Sequence, residues 1–123
     1  MPEMALSDLK ILDFTHGISG PYCTKLLGDY GADVIKIERP GSGDYVRQIG
    51  PFPKDVPHPE KSGTFLHLNT NKRSVTLDLS TGPGRDVALK LARQADIVVE
   101  SFRPGVMADF GLDYQILNGL NSA

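Results

Sequence analysis

The stretch from Ile11 to Asp44 constrains this chain most, because it reads as strand, glycine-broken turn, helix and second strand. Leu9, Ile11, Leu12 and Phe14 form a short, nearly continuous apolar run, the pattern of a parallel strand covered on both faces. Gly17 and Gly20 interrupt it, and Ser19 or Gly20 can cap a helix whose first turn accepts Pro21, where a missing N–H costs nothing. Leu26, Leu27 and Tyr30 supply an apolar stripe, and Gly31 is placed to end the helix in a left-handed conformation. Val34, Ile35 and Ile37 make the second strand, which must stop by Arg39 because Pro40 cannot extend a central ladder. Such a βαβ unit implies a right-handed crossover.

A second half of similar kind follows. Residues 41–63 hold many Pro, Gly and charged residues with little periodicity, so the spacing predicts a long loop. Loops of that length inside compact domains usually serve a site or a partner. Phe65, Leu66 and Leu68 lead into Asn69–Arg73, and Val75, Leu77 and Leu79 alternate with Thr76 and Asp78 as a third strand. Thr81 caps a helix with Pro83 near its start, and Val87, Ala88, Leu91, Ala92 and Ala95 share one face. Ile97, Val98 and Val99 make a fourth strand, ended by Ser101-Phe-Arg-Pro-Gly105. Short helical turns around Val106–Phe110 and Tyr114–Leu117 close the reading. The fold class is therefore α/β, a Rossmann-like parallel sheet of βαβ units. The carboxyl end reads as cut, since the last helix should deliver the chain to another strand.

Length, charge and cysteine content bound the rest. A chain of 123 residues buries one core and is most simply one domain. Its formal net charge of −2 points globally to neither nucleic acid nor an anionic membrane, so any anion site must be local. The single Cys23 excludes an internal disulfide framework and fits a reducing compartment. No apolar run approaches a membrane span, and the amino terminus lacks a secretory pattern, which reads as a cytoplasmic protein.

In open α/β sheets the ligand lies outside the carboxyl ends of the strands, where strand order reverses. Four segments leave strand ends here: 16–20, 38–47, 80–81 and 101–105. They bring in Arg39, Arg47 and Arg103, with Lys72 and Arg73 just before a strand and the start of the helix near Pro21. Guanidinium forks and free helical N–H groups suit phosphate oxygens, and Phe102 can stack on a base or lie along methylenes. A phosphate-bearing ligand with an apolar body is the chemistry these residues fit. Plainer roles stand beside it. The glycines can simply serve turns, and a single His16 without a second ligand is ordinarily structural. Asp13, Asp78 and Asp96 read as turn or edge residues, Arg85, Lys90 and Arg93 as a solvated helix face, and Cys23 as a packing residue. The dinucleotide fingerprint is absent, because His16–Gly20 has the wrong glycine spacing, which argues against NAD.

Several ordered motifs make the chain recognisable. They are Leu12-Asp-Phe14, Ser19-Gly-Pro-Tyr22, the run from Leu27 to Asp44 followed by Arg47, Asn69–Asp78, Ala95–Glu100 and Phe102-Arg-Pro-Gly105. Together, over about Leu9–Leu120, the chain resembles the class III (CaiB/BaiF-type) CoA-transferases, a family that also includes α-methylacyl-CoA racemases. The resemblance implies an amino-terminal, Rossmann-like CoA-binding segment, residues 1–123, of a larger interlocked dimeric fold, truncated before the catalytic aspartate. It implies that His16, Gly17, Ile18 and Ser19 line the thioester and pantetheine channel, and that Arg39, Leu77, Ser101 and Phe102 contact CoA. Arg47 and Arg103 join Arg39 as candidate anion contacts. Acyl-CoA and a carboxylic acid are then the substrates, with no permanently bound cofactor, no metal and no catalytic residue in this chain.

The chain departs from the family pattern in three places. Ser101 replaces a frequent asparagine, Asp109 stands where a basic residue often occurs, and Ile18 replaces the glutamine of the formyl-CoA branch, which argues against that substrate. The family reaction passes through aspartyl anhydride and aspartyl-CoA intermediates. The alternatives are a racemase of the same family, a noncatalytic nucleotide- or CoA-binding module, and a structural segment without ligand affinity.

Overall fold

The computed structural model describes residues 3–121. Four strands, β1 (Lys10–Asp13), β2 (Asp33–Glu38), β3 (Lys72–Thr76) and β4 (Ile97–Val99), form one sheet in the order β3-β2-β1-β4, every neighbouring pair parallel. Helix α1 (Ser19–Asp29) links β1 to β2, α2 (Gly63–Leu68) precedes β3, and α3 (Gly82–Gln94) links β3 to β4. Two short helices, α4 (Val106–Asp109) and α5 (Tyr114–Leu120), follow. The expected α/β architecture is what forms. Strand order reverses at β1, which has β2 on one side and β4 on the other.

The period of two along each strand divides the core. Leu12, Phe14 and Ile37 pack on one face against Ala88 and Ala92 of α3, with Ala95, Met107 and Leu112 completing the cluster. Alanines let α3 approach the sheet closely. On the other face, toward the amino ends of β1 and β2, Ile11, Ala32 and Val34 meet Leu27 of α1. Toward the carboxyl ends the same face carries Asp13, Lys36 and Glu38, all buried.

Several local expectations need correction. The residue before α1 is Ile18, whose side chain cannot accept a hydrogen bond, so neither Ser19 nor Gly20 caps the helix. That helix buries Pro21, Thr24 and Gly28, while Leu26 and Tyr30 are exposed. At Gly28 the helix lies against the backbone of Asn71 and the side chain of Val34. Cys23 is exposed, not a packing residue. The third strand starts earlier and ends earlier than its apolar alternation suggests. Pairing with β2 runs from Lys72 to Thr76, leaving Leu77 and Leu79 in the following loop, where both still pack on the core. Residues 41–63 include two short 3-10 turns, Tyr45–Gln48 and Pro53–Asp55.

The entry to α3 is tightly folded. The Thr81 hydroxyl donates to the Asp78 carbonyl and accepts from the Gly84 N–H, as an N-cap should. A Cβ on Gly84 would lie 2.0 Å from the Asp78 carbonyl oxygen, a contact with backbone that cannot swing away. Gly84→Ala is therefore expected to lower stability by about 1–3 kcal/mol, read as a shifted midpoint in urea with an unchanged slope.

Candidate functional site

At the carboxyl edge of the sheet, a cavity of about 280 Å³ opens where the loops after all four strands meet. Phe14 and His16 come from the end of β1, Ile37 and Arg39 from β2, Leu77–Ser80 from the loop after β3, and Phe102 from beyond β4, with Phe110 as a further wall. His16 and Phe102 have ring centroids 5.8 Å apart, and Phe102 meets Phe110 edge-on at 6.0 Å. Arg39 is exposed and has no ion-pair partner among the described residues. Burial lowers the His16 pKa below its usual 6.5; Asp44 opposes this, and Lys36 and Arg39 reinforce it. His16 is thus neutral near pH 7, and its buried Nε2 has no hydrogen-bond partner among the described residues. An apolar, aromatic-walled hollow with one unpaired guanidinium at its rim suits a flat ring bearing negative charge.

A larger hollow, about 410 Å³, lies beside β4 among α3, α4 and α5. Among the described residues, its only charged lining groups are Asp96 and Glu100, which have the wrong sign for an anion.

On the opposite face of the sheet, a chain of buried charges holds the loops that form the cavity. The Asp13 carboxylate accepts from the Thr15 N–H, the Thr15 and Thr24 hydroxyls, and Lys72 Nζ at 3.2 Å. Lys36 Nζ donates to the Thr15 carbonyl at 2.9 Å and to Asp44 Oδ2 at 2.8 Å. Asp44 Oδ1 accepts from the Gly17 and Val46 N–H groups. Glu38 receives two hydrogen bonds from Arg47, one from the Ser74 hydroxyl and one from the Asp44 N–H. The Arg47 guanidinium also lies over the Phe65 ring at 3.7 Å.

Comparison with known proteins settles the family. The family described as CoA-transferase family III matches residues 6–123. This chain belongs to CoA-transferase family III. It is 47% identical over 117 residues to a succinyl-CoA:mesaconate CoA-transferase of Haloarcula hispanica, covering 95% of this chain and 29% of that protein. It is also 47% identical over 118 residues to a formyl-CoA:oxalate CoA-transferase of Afipia carboxidovorans, covering 95% of this chain and 27% of that protein. Among solved structures, the D175A mutant of Rv3272 from Mycobacterium tuberculosis superposes with a TM-score of 0.88 at 40% identity, over 99% of this chain and 32% of that one. A CAIB/BAIF family protein from Brucella suis gives 0.87 at 35% identity, over 98% and 32%. The chain spans less than a third of the length of these relatives.

Within this family III chain, the structure brings together four of the sequence-expected site residues, His16, Arg39, Leu77 and Phe102, around one cavity. Gly17, Ile18 and Ser19 lie on the adjoining turn into α1, with Ile18 62% exposed. Ser101 and Arg103 are exposed and outside the cavity lining. Arg47, expected as an anion contact, is instead engaged by Glu38, with Nη1 donating to the Pro59 carbonyl. Lys72 and Arg73 begin β3, at the opposite end of the sheet from the cavity mouth. Lys72 reaches inward to Asp13 and Arg73 pairs with Asp33. Burial lowers the Lys72 pKa to about 8 despite Asp13, and Lys36 adds to that fall.

Asp13, expected as a turn or edge residue, is wholly buried. Asp78 and Asp96 do serve a turn and an edge: Asp78 accepts from Ser80, and Asp96 accepts from the Lys10 N–H. Ser80 joins the lining from the expected segment 80–81, and Phe14, Leu79 and Phe110 join it although the sequence reads them only as strand or helix residues. For the buried charges the available signal was Lys36 and Glu38 alternating inside a strand that reads as covered on both faces, which requires buried partners.

The Glu38–Arg47 pair makes stability depend on acid. Burial would raise the Glu38 pKa, but hydrogen bonds from Arg47, Ser74 and the Asp44 N–H outweigh it and hold the value at about 2, below the usual 4.5. Glu38 thus binds a proton more readily in the unfolded chain, and its contribution is present above pH 4.5 and lost as pH falls toward about 2. Arg47→Ala should cost about 3–5 kcal/mol at neutral pH, because it strands a buried carboxylate. The difference between this variant and the unaltered protein should shrink as pH falls from 4.5 toward about 2, because without Arg47 the folded-state pKa of Glu38 rises and less stability is left for acid to remove.

Proposed function

We propose that this chain is the CoA-binding segment of a CoA-transferase, with the nucleotide end of CoA in the cavity formed by Arg39, Leu77–Ser80 and Phe102. The observation that carries the reading is the convergence of these residues at the point where strand order reverses. Phe102 offers a face to the adenine ring, Leu77 and Leu79 enclose its edges, and the Arg39 guanidinium meets phosphate oxygens. The acyl end of CoA then runs past His16–Ser19. Arg103, exposed beyond β4, is a second candidate for the phosphates, while Arg47 supports the loop from beneath.

The reaction class follows from the relatives, which are named as transferases between a CoA thioester and a carboxylate. In the proposed course, an aspartate carboxylate outside this chain attacks the thioester carbonyl, and the C–S bond breaks to give a mixed anhydride and CoA thiolate. The thiolate attacks the aspartyl carbonyl of the anhydride, releasing the donor acid and leaving an aspartyl-CoA thioester. The acceptor carboxylate reverses both steps and departs as the new CoA ester. Donors aimed at each tetrahedral oxyanion would lower the barriers. Ile18, exposed on the turn into α1, gives the acyl end an apolar neighbour and favours an acyl group other than formyl.

Calorimetry tests the ligand class. CoA should bind and NAD should not, and Arg39→Ala and Phe102→Ala should each weaken CoA binding by about tenfold, the loss of a charge-assisted contact or a stacking face. Equal heats from CoA and NAD, or CoA binding indifferent to both substitutions, would refute this placement. In the enzyme, transfer of labelled CoA between two free acids marks a transferase; loss of α-carbon configuration without CoA transfer marks a racemase.

A further inference from the structure

The turn at 15–18 carries the chain from β1 toward α1. It has a glycine at φ +92°, no side-chain cap on the helix that follows, and a buried His16 Nε2 without a partner among the described residues. Yet it is held at three points from the β2 side. Lys36 Nζ takes the Thr15 carbonyl, Asp44 Oδ1 takes the Gly17 N–H at 3.1 Å, and the Tyr45 phenol lies against Gly17 so closely that a Cβ there would sit 2.3 Å from its oxygen. Asp44 and Lys36 are 0% and 1% exposed and pair at 2.8 Å, and neither lines the cavity.

From this geometry we infer that Asp44, oriented by Lys36, is a positioning residue that fixes the Thr15–Ile18 turn, and thereby the path of the acyl end of CoA. The inference rests on the CoA reading above. Asp44 suits the task because one carboxylate divides its oxygens: Oδ2 to the Lys36 ammonium, Oδ1 to the N–H groups of Gly17 and Val46. That one carboxylate supplies the hydrogen bond that ties the turn to the loop after β2, beside the contact of Tyr45 with Gly17. Glu38 and Arg47 satisfy each other and meet Asp44 only at its backbone, Glu38 accepting from the Asp44 N–H and the Arg47 N–H donating to the Asp44 carbonyl. A merely stabilising pair would act on the whole ligand site. A positioning pair acts on the half of the ligand that passes the turn.

The test compares two ligands, CoA and adenosine 3′,5′-bisphosphate, the latter representing the nucleotide end alone. Replacing both partners together, Lys36→Met with Asp44→Leu, removes the hold on Gly17 without stranding a buried charge. In a folded double variant, CoA affinity should fall about tenfold while the nucleotide affinity stays within about twofold. A parallel fall for both ligands, or CoA affinity unchanged, overturns the positioning role. Failure of the CoA reading itself has a different signature, since the unaltered protein would then bind neither ligand. Should the double variant not fold, amide hydrogen exchange in the unaltered protein decides. Slow exchange at the Gly17 N–H supports the hold from Asp44, and exchange at the rate of an open loop overturns it.

Discussion

Three carboxylates and three cations buried on one face of the sheet hold this structure in register: Asp13 with Lys72, Asp44 with Lys36, and Glu38 with Arg47. Removing such groups from water costs several kcal/mol each, and the cost is offset only when every charge finds a partner and every remaining lone pair a donor. That condition is met by backbone as well as side chains, because Thr15, Gly17, Asp44 and Val46 all contribute N–H groups to these carboxylates. The network is therefore a clamp on loops rather than an addition to the core. It joins the turn after β1 to the loop after β2, and through Lys72 and Asn69 it reaches the approach to β3.

The two faces of the sheet divide the work. Against α3, Leu12, Phe14 and Ile37 make a dry interior with alanine-sized contacts, and this interior opens at the carboxyl edge into the cavity walled by Phe102 and Phe110. Against α1 and α2, the same strands carry charges, and Phe65 of α2 lies beneath Arg47. His16 stands where the two meet, its ring against Phe102 and its neighbouring backbone tied to Asp44 through Gly17. A ligand in the cavity would press on loops braced from the far side.

Much of the architecture is legible from local patterns. The apolar run at Leu9–Phe14, the glycine and proline punctuation around Pro21, the Thr81 cap and the Ile97–Val99 strand all follow from short-range preferences, and parallel order follows from helices between them. The convergence of loops at the carboxyl ends was legible for the same reason. What misled was also local. Alternation through Leu79 prolonged the third strand, although Leu77 and Leu79 pack on the core from a loop, so burial imitates strand periodicity there. The sequence presents Arg39, Arg47 and Arg103 alike as anion contacts, because charge type is visible in it and partnership is not.

The amino-acid sequence alone determined the order of strands and helices, the parallel character of the sheet and the edge at which the loops after the strands converge, because each depends on preferences acting within a few residues or on rules of chain connection. The tertiary structure alone decided which charges face inward. Asp13 meets Lys72, and Lys36 reaches the Thr15 carbonyl, only when β1, β2 and β3 lie side by side, leaving Arg39 without an ion-pair partner among the described residues and Arg47 engaged. Which guanidinium is left for a ligand is a matter of three-dimensional pairing, and no spacing along the chain records it.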